Sequence, residues 1–160
     1  MSSAALYAFA RVGKRFKSSG QIAACDKHNA RERETPNADA SKSANNECFV
    51  GNNDQSLVDL VWGKIGDNGG KKIRTSADVK HSAVLAFEMT LSASPEYFRP
   101  DNPAAAGEWQ TDQLTAWETL SAQWLKDRYG DNVVRATFHR DEATPHIHAV
   151  IVPVNEKGHI

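Results

Sequence analysis

The sequence has few cysteines, no long apolar run and almost no net charge. Its 160 residues include two cysteines, Cys25 and Cys48. Two cysteines do not make a disulfide framework, so we expect free thiols in a reducing cytosol. No apolar stretch approaches the roughly 20 residues that span a membrane, and the N-terminus has no signal-peptide core before a cleavage site. These absences exclude a disulfide-rich secreted domain and a membrane-spanning one, and favour a cytoplasmic protein.

The formal net charge of -1 gives no overall reason to expect a nucleic-acid partner. The basic residues are nevertheless concentrated near the N-terminus. Residues 11–33 contain only Asp26 and Glu32 as acids, against the basic residues Arg11, Lys14, Arg15, Lys17, Lys27, Arg31 and Arg33. A local positive patch can bind a phosphate backbone inside a near-neutral chain, although a solvated surface of mixed charge is the commoner cause of such a cluster.

Apolar patterning predicts an α+β domain, with an antiparallel sheet and helices mainly on one face. The longest predicted helix covers residues 111–129, and Gly130 ends it. Its expected core-facing stripe is Leu114, Trp117, Leu120, Ser121, Trp124 and Leu125. The other predicted elements are strands at 4–12, 83–91 and 133–138, helices at 22–34, 57–65 and around 78–80, and irregular loops at 13–20 and 35–53.

Three histidines and two carboxylates fall within the ten residues 139–148. His146 and His148 open an apolar strand and point to the same face of it, because side chains alternate along a strand. His139 ends the preceding strand. Two antiparallel strands joined by residues 140–145 would place His139 beside the other two histidines. Three neutral imidazoles from one hairpin make a metal site that leaves positions open for water or substrate.

The same residues could instead form a polar loop at a sheet edge. Burying three imidazoles without a ligand would leave ring nitrogens unsatisfied, so a metal site is the favoured interpretation. Asp141 and Glu142 fit three roles that spacing does not separate: metal ligand, partner that fixes a histidine tautomer, or general base. A cupin-like metal enzyme would need many short strands with glycine turns, which the predicted helix at 111–129 contradicts.

The motif HRDEATPHIH at residues 139–148 resembles the metal motif of MobV-type plasmid relaxases, the Mob/Pre mobilisation and recombination family. Upstream, His28-Asn29-x-Arg31 resembles the first motif of that family, and Asn37 falls within its asparagine-containing continuation. Residues 94–96 and 125–134 also match the family pattern. The resemblance therefore spans nearly the whole chain, and the histidine motif is its most specific part.

This resemblance implies the fold of the HUH endonucleases, a five-stranded antiparallel sheet with the His-x-His pair on a central strand. It implies a divalent ion, Mn²⁺ or Mg²⁺, held by His139, His146 and His148. The implied reaction nicks one strand of single-stranded or supercoiled plasmid DNA at an origin of transfer, keeps the 5′-phosphate on the protein and later rejoins the strand. The remaining implied roles are Glu142 as base or ligand partner, Asp141 as a weaker ligand partner, and DNA contacts from Asn29, Arg31, Arg33 and Asn37.

Most HUH enzymes use a tyrosine nucleophile, whereas the MobV branch is thought to use the histidine of its first motif. The chain has three tyrosines, Tyr7, Tyr97 and Tyr129, and none in the loop at 45–49 where relatives often carry one. This departure favours His28, which would form a phosphoramidate.

Two other functions fit parts of the pattern. A rolling-circle replication initiator would share the metal motif, but no tyrosine lies on a helix after the histidine hairpin. A DNA-binding repressor or accessory module with decayed chemistry would have lost a ligand, and all three histidines are present. The family's relaxases continue beyond this length. We therefore expect residues 1–160 to be the catalytic domain of a longer protein, with homodimer contacts in a further C-terminal region and no membrane contact within this part.

Overall fold

A computed structural model describes residues 6–66, 83–155 and 160. Five strands form one antiparallel sheet, as the family resemblance implied, and their order is β1-β3-β5-β4-β2. They are β1 (Ala8–Phe16), β2 (Glu47–Val50), β3 (Ala86–Ala93), β4 (Val133–His139) and β5 (His146–Ile151). The helices are α1 (Ser19–Asn29), α2 (Leu57–Gly66), α3 (Pro95–Phe98) and α4 (Thr111–Tyr129), with 3-10 turns at Ala40–Asn45 and Gly130–Asn132.

Helices cover both faces of the sheet. Ile147 and Ala149 of β5 join the core beneath α4, whereas Val150 joins a second core with residues of α1 and α2. The expectation that helices pack mainly on one face is therefore corrected. The physical reason is the continuous apolar run that follows His148, because a strand that is apolar on both sides needs cover on both sides.

The bounds of α4 agree with the prediction, but its apolar stripe is narrower. Leu114, Trp117, Ser121 and Leu125 are buried, whereas Leu120 is 69% exposed and Trp124 is 39% exposed. The two exposed side chains line an apolar groove of about 510 Å³ between α4 and the edge strand β1. Their helical spacing matches that of core residues, so the sequence pattern alone did not separate them.

The N-terminal third differs most from the sequence prediction. β1 begins at Ala8 and runs to Phe16, and α1 follows at Ser19, so the predicted loop at 13–20 is mostly strand and helix. The predicted loop at 35–53 contains a 3-10 turn and the four-residue β2, which pairs with β4. The predicted helix around 78–80 lies outside the described residues. No helix in the described part of the chain is long and apolar enough to cross a membrane.

Candidate active site

The register of the β4–β5 hairpin brings the three histidines of the motif together. His139 pairs with His146, and Thr137 pairs with His148. The three imidazole centroids lie 5.2 Å apart for His139 and His146, 5.1 Å for His139 and His148, and 4.9 Å for His146 and His148. The hairpin predicted from the sequence is confirmed, and its histidines share the sheet face that α1 covers.

His139 provides the test of whether these residues fit a metal ion. Its side chain is fully buried, and neither of its ring nitrogens has a hydrogen-bond partner. Such atoms are costly to bury unless something binds them. Burial, with the neighbouring His148 and Arg31, lowers the pKa of His139 to about 2, so the ring is in the neutral form that coordinates metals. The donor set therefore fits a divalent ion.

The rings are close together but are not arranged as a finished ligand set. The planes of His139 and His146 are stacked nearly parallel, at an angle of 7°. Among the residues that the structure describes, no group of three His, Cys, Asp or Glu side chains has the geometry of a metal site. Side-chain rotation in the histidine cluster would have to accompany metal binding.

The tautomer of His146 is fixed by the loop that precedes it. Its Nδ1 lies 3.1 Å from the carbonyl oxygen of Thr144, and a carbonyl can only accept, so Nδ1 carries the proton and Nε2 is free to bind a metal. The loop is held from β3, where Ser92 Oγ donates to the carbonyl of Pro145 at 2.7 Å. Burial, followed by the nearby His148, lowers the pKa of His146.

Glu88 on β3 is a site residue that the sequence did not single out. It is 4% exposed, and its Oε1 lies 3.0 Å from Nδ1 of His148. The ring nitrogen has no aligned hydrogen-bond partner, so this contact is electrostatic. Burial alone would raise the pKa of Glu88, but His148, Asn29 and Cys25 together lower it to about 2. A carboxylate beside a ligating histidine increases the basicity of the ligand and orients its ring.

We expect the isosteric change Glu88→Gln to weaken Mn²⁺ binding by about 10- to 100-fold, because it removes the negative charge beside His148. Calorimetric titration of the purified protein with Mn²⁺ measures the change. Glu32→Gln is the matched control, since Glu32 is exposed and its side chain forms no hydrogen bond or ion pair within the described part of the chain. Equal Mn²⁺ affinities for the wild-type protein and Glu88→Gln would show that Glu88 does not support the site.

His28 approaches the cluster from the last turn of α1. Its ring lies edge-on to His148 with the two centroids 6.2 Å apart, and the side chain is half-buried. Burial and the adjacent His148 lower the pKa of His28, which favours the neutral imidazole with a free lone pair. The same turn is tied to β3, because Asn29 Nδ2 donates to Glu88 at 3.1 Å and Cys25 Sγ donates to Glu88 at 3.3 Å.

Arg31 joins the end of α1 to the loop of the histidine hairpin. Its Nε and Nη2 donate to the two carboxylate oxygens of Asp141 at 2.8 and 2.6 Å, and Nη2 also donates to Glu142 at 2.7 Å. Its backbone has a φ of 58°, the left-handed region that residues other than glycine rarely adopt. The family resemblance implied that Arg31 contacts DNA. In the structure, its Nε and Nη2 donate to carboxylates, and Nη1 has no hydrogen-bond partner.

Asp141 is the centre of the polar network around this loop. Besides Arg31, its Oδ2 accepts from Ser43 at 2.9 Å and from Asn46 at 2.8 Å. Burial alone would raise the pKa of Asp141, but Arg31, Asn46 and Ser43 hold it well below its ordinary value. Its Oδ1 lies 3.8 Å from Nδ1 of His139, which is beyond hydrogen-bond distance, so Asp141 acts on that ring through its charge. Both of its oxygens already accept hydrogen bonds from Arg31, Ser43 and Asn46.

Glu142 and the remaining predicted residues take different positions. Oε1 of Glu142 lies 3.8 Å from Nε2 of His146. Arg33 is exposed and lines the same depression as His28, which has a volume of about 430 Å³. Lys14 and Arg15 also line this depression. Asn37 is exposed, and the amide of Asn29 is engaged by Glu88. The structure thus brings most of the predicted site together around the histidine hairpin and the end of α1.

The three tyrosines lie away from the histidine cluster. Tyr97 and Tyr129 pack against the core beneath α4, on the opposite face of the sheet. Tyr7 is 58% exposed and lines the apolar groove beside α4. None of them contacts a histidine of the site. His28, in contrast, lies next to the cluster, and a neutral imidazole can act as a nucleophile.

Comparison with known proteins places this arrangement in a family. The family model Mob_Pre, described as plasmid recombination enzyme, matches residues 4–160. The chain belongs to the Mob/Pre family. A 65 kDa protein of Zymomonas mobilis subsp. mobilis is 34% identical over 149 residues, covering 92% of this chain and 23% of that protein. A plasmid recombination enzyme type 3 of Staphylococcus aureus is 32% identical over 160 residues, covering 96% of this chain and 35% of that enzyme.

The fold also matches a solved member of the family. The MobM relaxase domain, solved with Mn bound and with plasmid pMV158 oriT DNA, has a TM-score of 0.77 at 22% identity. The match covers 96% of this chain and 74% of that domain. The chain spans about a quarter to a third of the length of the two curated relatives, and most of the solved domain.

Proposed function

We propose that this chain is the nicking domain of a metal-dependent DNA relaxase, which cuts one strand of plasmid DNA at an origin of transfer and later rejoins it. The proposal is based chiefly on the position of His28, a half-buried imidazole beside three clustered histidines. Family membership supports a plasmid substrate. Since the DNA would be plasmid DNA inside the cell, we place the reaction in the cytoplasm.

We propose Mn²⁺ or Mg²⁺ as the cofactor, held by His139, His146 and His148. A bound divalent ion would polarise the scissile phosphate and offset the charge that develops on it. The Mn-bound structures of the MobM relaxase domain favour Mn²⁺. Glu88 and Asp141 would orient His148 and His139 through the contacts described above.

In the nicking step, the lone pair of a ring nitrogen of neutral His28 attacks the phosphorus. The bond between phosphorus and the DNA 3′-oxygen breaks, the 3′-oxygen takes a proton, and His28 gives up its remaining ring proton. The product is a phosphoramidate that joins His28 to the 5′-phosphate, and it conserves the energy needed for rejoining. We assign the delivery of a proton to the 3′-oxygen to Glu142, the carboxylate of the hairpin loop that Arg31 holds beside His146.

The two exposed polar side chains of the first motif region would bind DNA near His28. Arg33 lies in the same depression as His28, Lys14 and Arg15, and a guanidinium can bind a phosphate through two hydrogen bonds. Asn37 is exposed and free to contact the DNA strand. Asn29 and Arg31 are already engaged by Glu88, Asp141 and Glu142, so their contribution would be to position His28 and the hairpin loop.

The proposal is tested with labelled single-stranded oligonucleotides that tile the DNA upstream of the gene. Each is incubated with the protein in Mn²⁺ or in EDTA and run on a denaturing gel. We expect one of these tiling oligonucleotides (the cut tile) to give a shorter DNA product and a protein-linked product in Mn²⁺ and neither product in EDTA. Binding of that DNA and of Mn²⁺ with no cleavage of any tile would favour a decayed DNA-binding module, and cleavage without a protein-linked product would exclude the transesterification.

A further inference from the structure

The edge strand β1 presents two exposed side chains on the same sheet face as the histidine cluster. Phe9 pairs with Ser92 of β3, which in turn pairs with His146 of β5. Arg11 pairs with Thr90, which in turn pairs with His148. Residues directly opposite each other in antiparallel strands point to the same side. Phe9 and Arg11 therefore lie on the same sheet face as His146 and His148, each two strands away from one of these histidines.

Neither side chain is needed to complete the fold. Phe9 is 42% exposed and belongs to neither core, and it also borders the apolar groove beside α4. Its neighbours Ala8 and Ala10 pair with core residues on the opposite face. Arg11 is exposed and forms no ion pair or hydrogen bond with the described part of the chain. An exposed phenylalanine on an edge strand favours aggregation and has a cost in solubility, so a binding role explains its position better than packing does.

The positive charge around Phe9 and Arg11 indicates which kind of ligand they would bind. β1 also carries Lys14 and Arg15 and has no acidic residue. Lys14 and Arg15 line the depression that contains His28. Aromatic side chains among cations are the common surface for single-stranded nucleic acid, because bases stack on the rings and the cations follow the phosphates. An apolar protein partner would not require this concentration of positive charge.

We propose that Phe9 and Arg11 form a subsite for single-stranded DNA beside the scissile phosphate, in which Phe9 stacks on a base and Arg11 pairs with a phosphate. This inference rests on the proposed function for the position of the scissile phosphate. Neighbouring strands are about 4.8 Å apart, so the two-strand step from His146 to Phe9 is about 10 Å at the backbone. A nucleotide adjoining the cut can reach that distance.

The test measures the affinity of the protein for a fluorescently labelled single-stranded oligonucleotide by anisotropy. The probe is the tile that the wild-type protein cuts, or oligo(dT) if no tile is cut, and the buffer contains EDTA so that the DNA is not consumed. We expect Phe9→Ala to bind about tenfold more weakly and Phe9→Trp to restore binding, since stacking on an aromatic ring tolerates a change of ring. Arg11→Gln should weaken binding and reduce the slope of log affinity against log salt concentration by about 1, as expected when one phosphate contact is lost.

Val12→Ala is the matched control, because Val12 is also exposed on β1 but pairs with Met89 and faces the α4 side. It should bind DNA as the wild-type protein does. Equal affinity of Phe9→Ala and the wild-type protein would overturn the subsite, as would a change in oligomeric state without a change in DNA affinity. Cleavage by the wild-type protein is measured separately. If the wild-type protein cuts no oligonucleotide but Phe9→Ala still weakens oligonucleotide binding, the subsite is supported and the proposed function is not.

Discussion

Replacing His139 by alanine is expected to lower Mn²⁺-dependent nicking by at least about a thousandfold. His139 is the fully buried member of the cluster, and both of its ring nitrogens lack partners. Loss of this ligand removes the charge stabilisation that a bound ion gives the phosphate, a contribution of several kcal/mol, and each 1.4 kcal/mol is a tenfold change in rate. The rate of nicking of the cut tile and the Mn²⁺ affinity, both measured on the same preparation, check this prediction.

Comparison with His28→Ala separates loss of the metal site from loss of the nucleophile. His28 is half-buried and beside the cluster, but it is not one of the three proposed ligands. We expect His28→Ala to bind Mn²⁺ with nearly the wild-type affinity and to form no covalent product, whereas His139→Ala loses both properties. If His139→Ala kept its Mn²⁺ affinity and its nicking rate, the assignment of the metal site to this hairpin would be wrong.

Asp141→Ala is expected to have the largest effect on stability, a loss of about 3–5 kcal/mol in the free energy of unfolding. The side chain of Asp141 is fully buried, and the side chain of its partner Arg31 is only 11% exposed. Removing the carboxylate leaves the guanidinium buried with one remaining acidic partner, Glu142, and leaves the Ser43 and Asn46 donors unsatisfied. Urea unfolding followed by circular dichroism measures the difference.

Two further variants show whether the lost pair is the cause. Arg31→Met in the Asp141→Ala background removes the uncompensated charge, so part of the lost stability should return. Asp54→Ala replaces an exposed aspartate in a loop and should change the free energy of unfolding by less than about 0.5 kcal/mol. A loss for Asp141→Ala no greater than that of Asp54→Ala would mean that the network does not support the hairpin loop.

The sequence predicted those parts of the molecule in which one local pattern determines the structure. The spacing of His139, His146 and His148 was sufficient to predict the hairpin, because alternation along a strand and a short loop leave little freedom. The helical period was sufficient for the bounds of α4. The same period did not identify Leu120 and Trp124 as exposed, since exposure depends on where the edge of the sheet lies and not on helix geometry.

The features that the sequence did not predict depend on long-range pairing. β2 is four residues long, and its extended conformation comes from pairing with β4. Glu88 lies within an otherwise apolar strand, and its role depends on contacts with Asn29 and His148, which are 59 and 60 positions away in the chain. Glu88 did give one signal, an acidic residue within the apolar run 83–91, which is costly to bury unless it is paired.

Mass spectrometry of the covalent product tests the central claim most directly. The protein is incubated with the cut tile in Mn²⁺, denatured and digested, and the peptide that carries the nucleotide is sequenced. We predict that the nucleotide is attached to His28 by an acid-labile bond, and that the adduct persists when Tyr7, Tyr97 and Tyr129 are all replaced by phenylalanine. Attachment to a tyrosine, or an adduct that remains in His28→Ala, would contradict the assignment of His28 as the nucleophile.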